Sequence, residues 1–245
     1  MSSRMVSRQQ QLRWLQEGRG QGQLDTYKPF LNVRDNKSLT ERSSRVYGYK
    51  TQRTHHLFSD LELALFLALD RIQDIEDIRE QIPLDLETTV QIAEDLKIPH
   101  PIEKNVHQIL TSTFFIVNHS PLKPPCFVVK ALKSIHLDQK RTIAQLELER
   151  RYWEQKNIPW FLFTEKDISS TAIDNIKWLY PLNKVNNDIY TFSKMDFYQN
   201  YFLQKPELTL IELSKYLDTH YSMEAGASLL EIRELLAQRY FLFDI

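Results

Sequence analysis

Residues 104–137 contain no Asp or Glu. Within that span, STFFIVNH (112–119) and CFVVKALK (126–133) are apolar runs rich in β-branched and aromatic residues. Pro121, Pro124 and Pro125 separate them. Such a pair reads as two strands, about 108–118 and 126–133, joined by a Pro-rich turn. A strand pair this apolar must be covered by other elements, and the flanking sequence supplies them. Ser59 is a helix N-cap with Glu62 three residues on, the capping-box spacing. Leu61, Ala64, Leu65, Ala68, Leu69 and Ile72 then form the apolar stripe of an amphipathic helix. IEDIREQIPL (75–84) reads as a half-buried strand. LETTVQIAEDLKI (86–98) reads as a second helix, stopped before Pro99. Residues 137–157 form a long charged helix. IPWFLFTEKDI (158–168) is a buried strand with Pro159 at its start, where a missing N–H is tolerated. Helix, strand, helix, strand, strand, helix, strand predicts an α/β domain, a small mixed sheet flanked by helices.

The remaining sequence is punctuated differently. Residues 1–24 are Gln-, Gly- and Arg-rich without period and read as a flexible basic arm, with Trp14 as its one anchor. Residues 40–60 are basic with interleaved aromatics and read as an irregular loop or short hairpin. A boundary falls near Pro181 and NKVNND (183–188). Beyond it, three short helices and an apolar terminal run suggest a winged-helix-like domain over 181–245, of a type that binds DNA or proteins. The expected domains are therefore 1–24, 25–180 and 181–245.

Composition limits the function classes. With 42% hydrophobic and 26% charged residues the 245-residue chain is an ordinary globular sequence. No apolar run approaches the ~18–20 residues of a membrane span, and no apolar leader opens the chain. One cysteine, Cys126, excludes an internal disulfide and a cysteine zinc cage and fits a cytoplasmic protein. Net charge is −1, but residues 1–56 carry eleven Lys/Arg against four Asp/Glu. That asymmetry points to a polyanion, and Arg34, Lys37, Arg42, Arg45, Lys50 and Arg53 are the candidate contacts. His55 and His56, as neighbours, point apart on any regular element. His100, His107, His119, His136 and His220 have no zinc spacing. There is no phosphate-binding GxxxxGK[ST] loop.

At HHLFSDLELALFLAL, DIREQIPL, LELERRYWEQKNIPWFLFT and NIKWLYPL the chain resembles the TnsA family, the endonuclease subunits of heteromeric transposases. The resemblance runs from about Gly18 to Pro181 and more weakly through the tail. It implies a restriction-endonuclease-like fold followed by a winged-helix-like domain, and a place in the prokaryotic cytoplasm. It also implies DNA transposon ends, a TnsB-like transposase and a TnsC-like AAA+ ATPase as partners, with His55 and His56, which the family pattern shares, as contacts to the DNA backbone. The family cuts one strand at each transposon end. That chemistry needs a hard cation such as Mg²⁺ held by oxygen ligands. The family supplies a helix Glu, a strand Asp and a Gln/Glu-x-Lys pair.

Carried over residue by residue, the site is degenerate. Glu62 is the helix Glu. The strand Asp falls on Thr113 or Phe114, according to a one-residue register choice. The Gln-x-Lys pair, aligned without gaps, falls on Lys130 and Leu132. Glu149 is the one acid placed to compensate. The resemblance therefore implies a pseudo-nuclease without a metal, with Lys130 paired to Glu62 while Phe114 and Leu132 fill the emptied pocket. Such a subunit would bind ends, dock partners and work beside an intact TnsA paralogue. The alternatives are an active metal-dependent endonuclease with a rearranged site, or a DNA-binding regulator using the tail.

Overall fold

A computed structural model describes residues 6–35, 42–182 and 191–241. The chain divides into two compact units, Met1–Ser169 and Ser170–Ile245. Among the described residues no helix is long and apolar enough to cross a membrane.

The first unit begins with helix α1 (Arg8–Gln16). A hairpin follows, β1 (Ser44–Gly48) and β2 (Arg53–Leu57), then α2 (Asp60–Arg71) and β3 (Ile75–Pro83). Next come α3 (Leu86–Leu96), a small hairpin of β4 (Ile102–Glu103) and β5 (Val106–His107), and the two central strands β6 (Thr111–Asn118) and β7 (Cys126–Ala131). Helix α4 (Lys140–Gln155) and strand β8 (Trp160–Phe163) complete the unit. The sheet order is β3-β6-β7-β8. β3 and β7 both run antiparallel to β6, and β8 runs parallel to β7. The parallel step requires a crossover, which α4 provides.

Helices cover both faces of this sheet. Phe114 of β6 has no exposed surface and lies 6.3 Å, centroid to centroid, from Phe66 of α2. Its neighbour Phe115 points the other way, onto Trp153 of α4 at 5.6 Å. Val128, Leu148, Tyr152 and Trp153 pack there with Ile92 and Ala93 of α3. The N-cap expected at Ser59 is present, and α3 has a cap of the same kind that the sequence reading did not name. Ser59 Oγ accepts from Glu62 N at 3.0 Å to start α2, and Asp85 Oδ2 accepts from Thr88 N at 2.8 Å to start α3.

The expected flexible arm is corrected. Residues 8–16 are helical, with Ser7 capping Gln10 N. Trp14 is buried edge-on to Phe30, 5.5 Å away, in a cluster with Val6, Leu31 and Ile109. Gln11 Nε2 donates to His107 O at 3.2 Å. The polar composition hid this because one aromatic and a few side-chain amides do the anchoring, and neither makes a periodic apolar stripe.

The second unit consists, in its described part, of α5 (Ser170–Leu179), α6 (Thr191–Gln204), α7 (Leu210–His220) and α8 (Ala227–Ala237). Helix α5 belongs here, so the division lies at Ser169/Ser170 rather than near Pro181. Leu179, Tyr198, Leu213, Leu217, Ile232 and Leu235 form its core. The α7–α8 turn is closed by Asp218, whose carboxylate accepts from Gly226 N and Ser228 N at 2.7 and 2.9 Å. Gly226 sits at φ +91°, a conformation that favours glycine. The expected terminal strand does not begin by Phe241, and residues 242–245 lie outside the described residues.

Trp14→Ala removes the anchor of α1 and should cost about 3 kcal/mol. Limited trypsin digestion checks it: the variant is expected to be cut at Arg8 and Arg13 under conditions in which the parent chain is not.

Candidate functional site

Strands β3 and β6 change face part-way along. Glu80 pairs with Phe114, and both point to the side of α2 and the β1–β2 hairpin. Two residues on, Ile82 pairs with Ser112. Ile82 packs in the α4-side cluster, and Ser112 Oγ accepts from Trp153 Nε1 at 2.8 Å. A period-two strand does not place i and i+2 on opposite faces. The change is made at Gln81, which holds φ +51° while buried, and across from it at Thr113. There the Thr113 hydroxyl, instead of a main-chain carbonyl, accepts from Ala131 N at 3.1 Å. A left-handed, non-glycine residue in a buried strand costs about 1 kcal/mol or more.

A chain of polar contacts crosses the sheet at this irregularity. Glu62 is buried on the first turn of α2, and its Oε2 accepts from Phe58 N at 2.7 Å. Gln81 Nε2 lies 3.5 Å from Glu62 Oε1. Gln81 Oε1 accepts from Thr111 Oγ1 at 2.9 Å. Thr111 O accepts from Lys130 Nζ at 2.7 Å. Lys130 Nζ meets Glu149 Oε2 at 3.1 Å. Trp160 Nε1 donates to Glu149 Oε1 at 3.1 Å. Glu149 is 3% exposed, so its charge is held by one ammonium and one indole with little water.

The structure brings Lys130 to Glu149 and not to Glu62, correcting the expected pair. Lys130 points to the α4 side with Val128, two residues before it, whereas Glu62 stands on the first turn of α2. Phe114 and Leu132 are buried. Asp60 is exposed, away from Glu62. Gln81 and Thr111 were missed, although two adjacent amide and acid side chains in an otherwise half-apolar strand (Glu80, Gln81) were a signal.

The residues at the positions expected to hold a magnesium ion offer it few oxygen ligands. Phe114 has no lone pair to offer, the Thr113 hydroxyl is engaged by Ala131 N, and Lys130 brings a positive charge. Among the described residues no three of His, Cys, Asp and Glu converge as a ligand set. His100 and His107 approach through their Nδ1 atoms at 3.1 Å, and His100 Nε2 is satisfied by Thr89 Oγ1.

A second polar cluster lies under the hairpin. Glu80 has no exposed surface. It receives Arg53 Nη1 and Nη2 at 2.9 and 2.6 Å, and His56 N at 3.1 Å. His55 Nδ1 lies 2.8 Å from Glu80 Oε2, and His55 Nε2 lies 2.6 Å from Thr51 Oγ1. Burial pushes the Glu80 carboxyl up, but His55 and Arg53 outweigh it and hold it far below the ordinary glutamate range. Arg53 and His55 are therefore corrected as DNA contacts: both are buried and committed to Glu80. His56, Arg34, Arg42 and Arg45 retain exposed surface, Lys50 is half-buried, and Lys37 lies outside the described residues.

The TnsA-like endonuclease N-terminal model matches residues 73–165, and the TnsA endonuclease C-terminal model matches residues 167–245. The Transposon Tn7 transposition protein TnsA of Escherichia coli is 39% identical over 234 residues, which span 95% of this chain and 85% of that one.

Two outcomes are expected. Lys130→Met strands Glu149 and should cost about 2 kcal/mol in urea denaturation, less than the ~3–5 of a fully buried pair because Lys130 keeps some water contact. Combined with Glu149→Gln the loss should be smaller than the sum; strict additivity would show that the two side chains do not interact. Glu80→Gln should cost about 3–5 kcal/mol at pH 7. A depressed carboxyl stabilises fully above the unfolded pKa and loses that effect as pH falls through the folded one. The gap between parent and Glu80→Gln should thus narrow below about pH 4.5.

Proposed function

The chain belongs to the TnsA family, and on that premise we propose that it is a catalytically degenerate TnsA-like subunit of a Tn7-type DNA transposition complex. The observation that carries the reading is the Lys130–Glu149 pair beside buried Phe114. Where family chemistry requires a hydrated cation between carboxylates, this chain sets a fixed ammonium and an aromatic ring. Glu62, the retained acid, has one oxygen on a helix-entry amide and the other on Gln81. An ammonium on a side chain neutralises a neighbouring carboxylate but neither activates water nor bridges phosphoryl oxygens.

A subunit of this kind contributes by binding. The basic N-terminal region, with exposed Arg34, Arg42 and Arg45, faces transposon-end DNA through its phosphates. The second unit docks the transposase and the AAA+ ATPase partner. Its helices carry exposed Phe192, Leu203 and Ile211, and residues 170–245 hold more Asp and Glu than Lys and Arg, which suits a protein surface better than a phosphate backbone. An intact TnsA paralogue supplies the cut.

Strand cleavage on DNA carrying the transposon ends tests this, with the transposase partner and Mg²⁺ or Mn²⁺ present. The expected result is end binding without cutting of the strand the family normally cuts. Metal-dependent nicking that disappears in Glu62→Ala would overturn the reading and make this an active endonuclease.

A further inference from the structure

The β1–β2 hairpin is a two-stranded ribbon with two unlike faces. Its register pairs Arg45 with His56 and Tyr47 with Thr54, and it pairs Ser44 with Leu57, Val46 with His55 and Gly48 with Arg53. Alternation sends the second set inward. Arg53, His55 and Leu57 are all buried. Gly48 has to be glycine, because a Cβ there would lie 2.7 Å from both His55 Nε2 and Thr51 Oγ1. The first set faces out: Arg45 and Thr54 are exposed, Tyr47 is 50% exposed and His56 is partly so.

An isolated two-stranded ribbon is marginal in water, yet this one is fixed. Glu80 reaches across from β3 to hold Arg53, His55 and the main-chain N–H of His56. Arg53 also donates to Leu24 O and Ile78 O, at 3.0 and 2.8 Å. The basic side chains of the hairpin thus divide into an inner set that is neutralised and an outer set that is not. Residues 42–57 contain no Asp or Glu. Among the described residues Arg42 and Arg45 make no ion pair. Val33 N donates to His56 Nδ1 at 3.3 Å, which leaves Nε2 to carry a proton outward.

We propose that the outer face of this ribbon, the row Arg45, Tyr47, Thr54 and His56, is the chain's contact with duplex DNA, and that Glu80 is its positioning residue. The proposal rests on the reading of the chain as a DNA transposition subunit and deepens it by naming the surface. The outward groups are a guanidinium, a phenol, a hydroxyl and an imidazole N–H, all able to donate to phosphate oxygens along one strand. A rigid row presents them without an ordering cost at the moment of binding. The same rigidity gives a preference for a duplex, whose phosphates are regularly spaced, over a flexible single strand.

Fluorescence anisotropy with a labelled duplex carrying the transposon end tests this, using the full chain at two salt concentrations. Arg45→Glu should weaken binding about tenfold or more and reduce the salt slope by about one to two, with an unchanged melting temperature. Lys166→Glu, an equal charge change at an exposed site in the same unit, should alter binding less than about twofold. Glu80→Gln should weaken binding, whereas Leu148→Ala, which opens a cavity in the α4-side core and is also destabilising, should not; equal losses would reduce Glu80 to a stability role and overturn its part. Binding and salt slope unchanged in Arg45→Glu would overturn the ribbon while leaving the DNA reading intact. Equal loss for single-stranded and duplex probes would overturn the duplex assignment. Absence of DNA binding by the parent chain, alone and with the transposase partner, would overturn the DNA reading and this surface together.

Discussion

A single buried carboxylate organises one side of the first unit. Glu80 lies in a strand of the central sheet, yet its partners lie in a hairpin that shares no main-chain ladder with that sheet. The bidentate Arg53 contact fixes direction as well as distance. The His56 amide then sets the register of the hairpin against the sheet. Removing water from so many charges is costly, and the cost is offset only because each polar atom of the cluster has a partner. The consequence is structural specificity: a ribbon that would otherwise fray has one face committed and the other left outward.

The same strand carries the second constraint. One residue beyond Glu80, Gln81 adopts a left-handed conformation, and the β3–β6 pair turns its side chains over. This irregularity puts Glu62, from the α2 side, and Lys130 with Glu149, from the α4 side, at the two ends of one hydrogen-bonded chain. Strained, polar strand positions are where sheets build sites. Here Gln81 and Thr111 link Glu62 on one side of the sheet to Lys130 and Glu149 on the other.

Most of the first unit was legible before any coordinates. The N-cap at Ser59, the helical stripe after it, the Pro-bounded strands and the charged α4 are local signals that the structure uses; the capping box closes by only one of its two bonds, because Glu62 accepts from Phe58 N instead of Ser59 N. The family was legible too, because a resemblance in sequence carries over directly. What failed were statements about where side chains point. Lys130 was expected to meet Glu62, and it meets Glu149. Arg53 and His55 were expected outside, and they are buried. The arm was expected to be mobile, and it is a helix held by Trp14. Each of these depends on a partner far away in the chain: 19 residues from Lys130 to Thr111, 27 from Arg53 to Glu80, 96 from Gln11 to His107.

The amino-acid sequence alone determined most of the elements, their order and the family. These follow from periodicity, capping and residue chemistry, all short-range properties of a chain. Tertiary structure decided which charges are neutralised and which are presented. A basic residue in sequence is only a charge; whether it is spent on a buried carboxylate or offered to a partner depends on the face it occupies. That face was set by a hairpin register and by one left-handed glutamine, whose backbone conformation is held by partners distant in the chain.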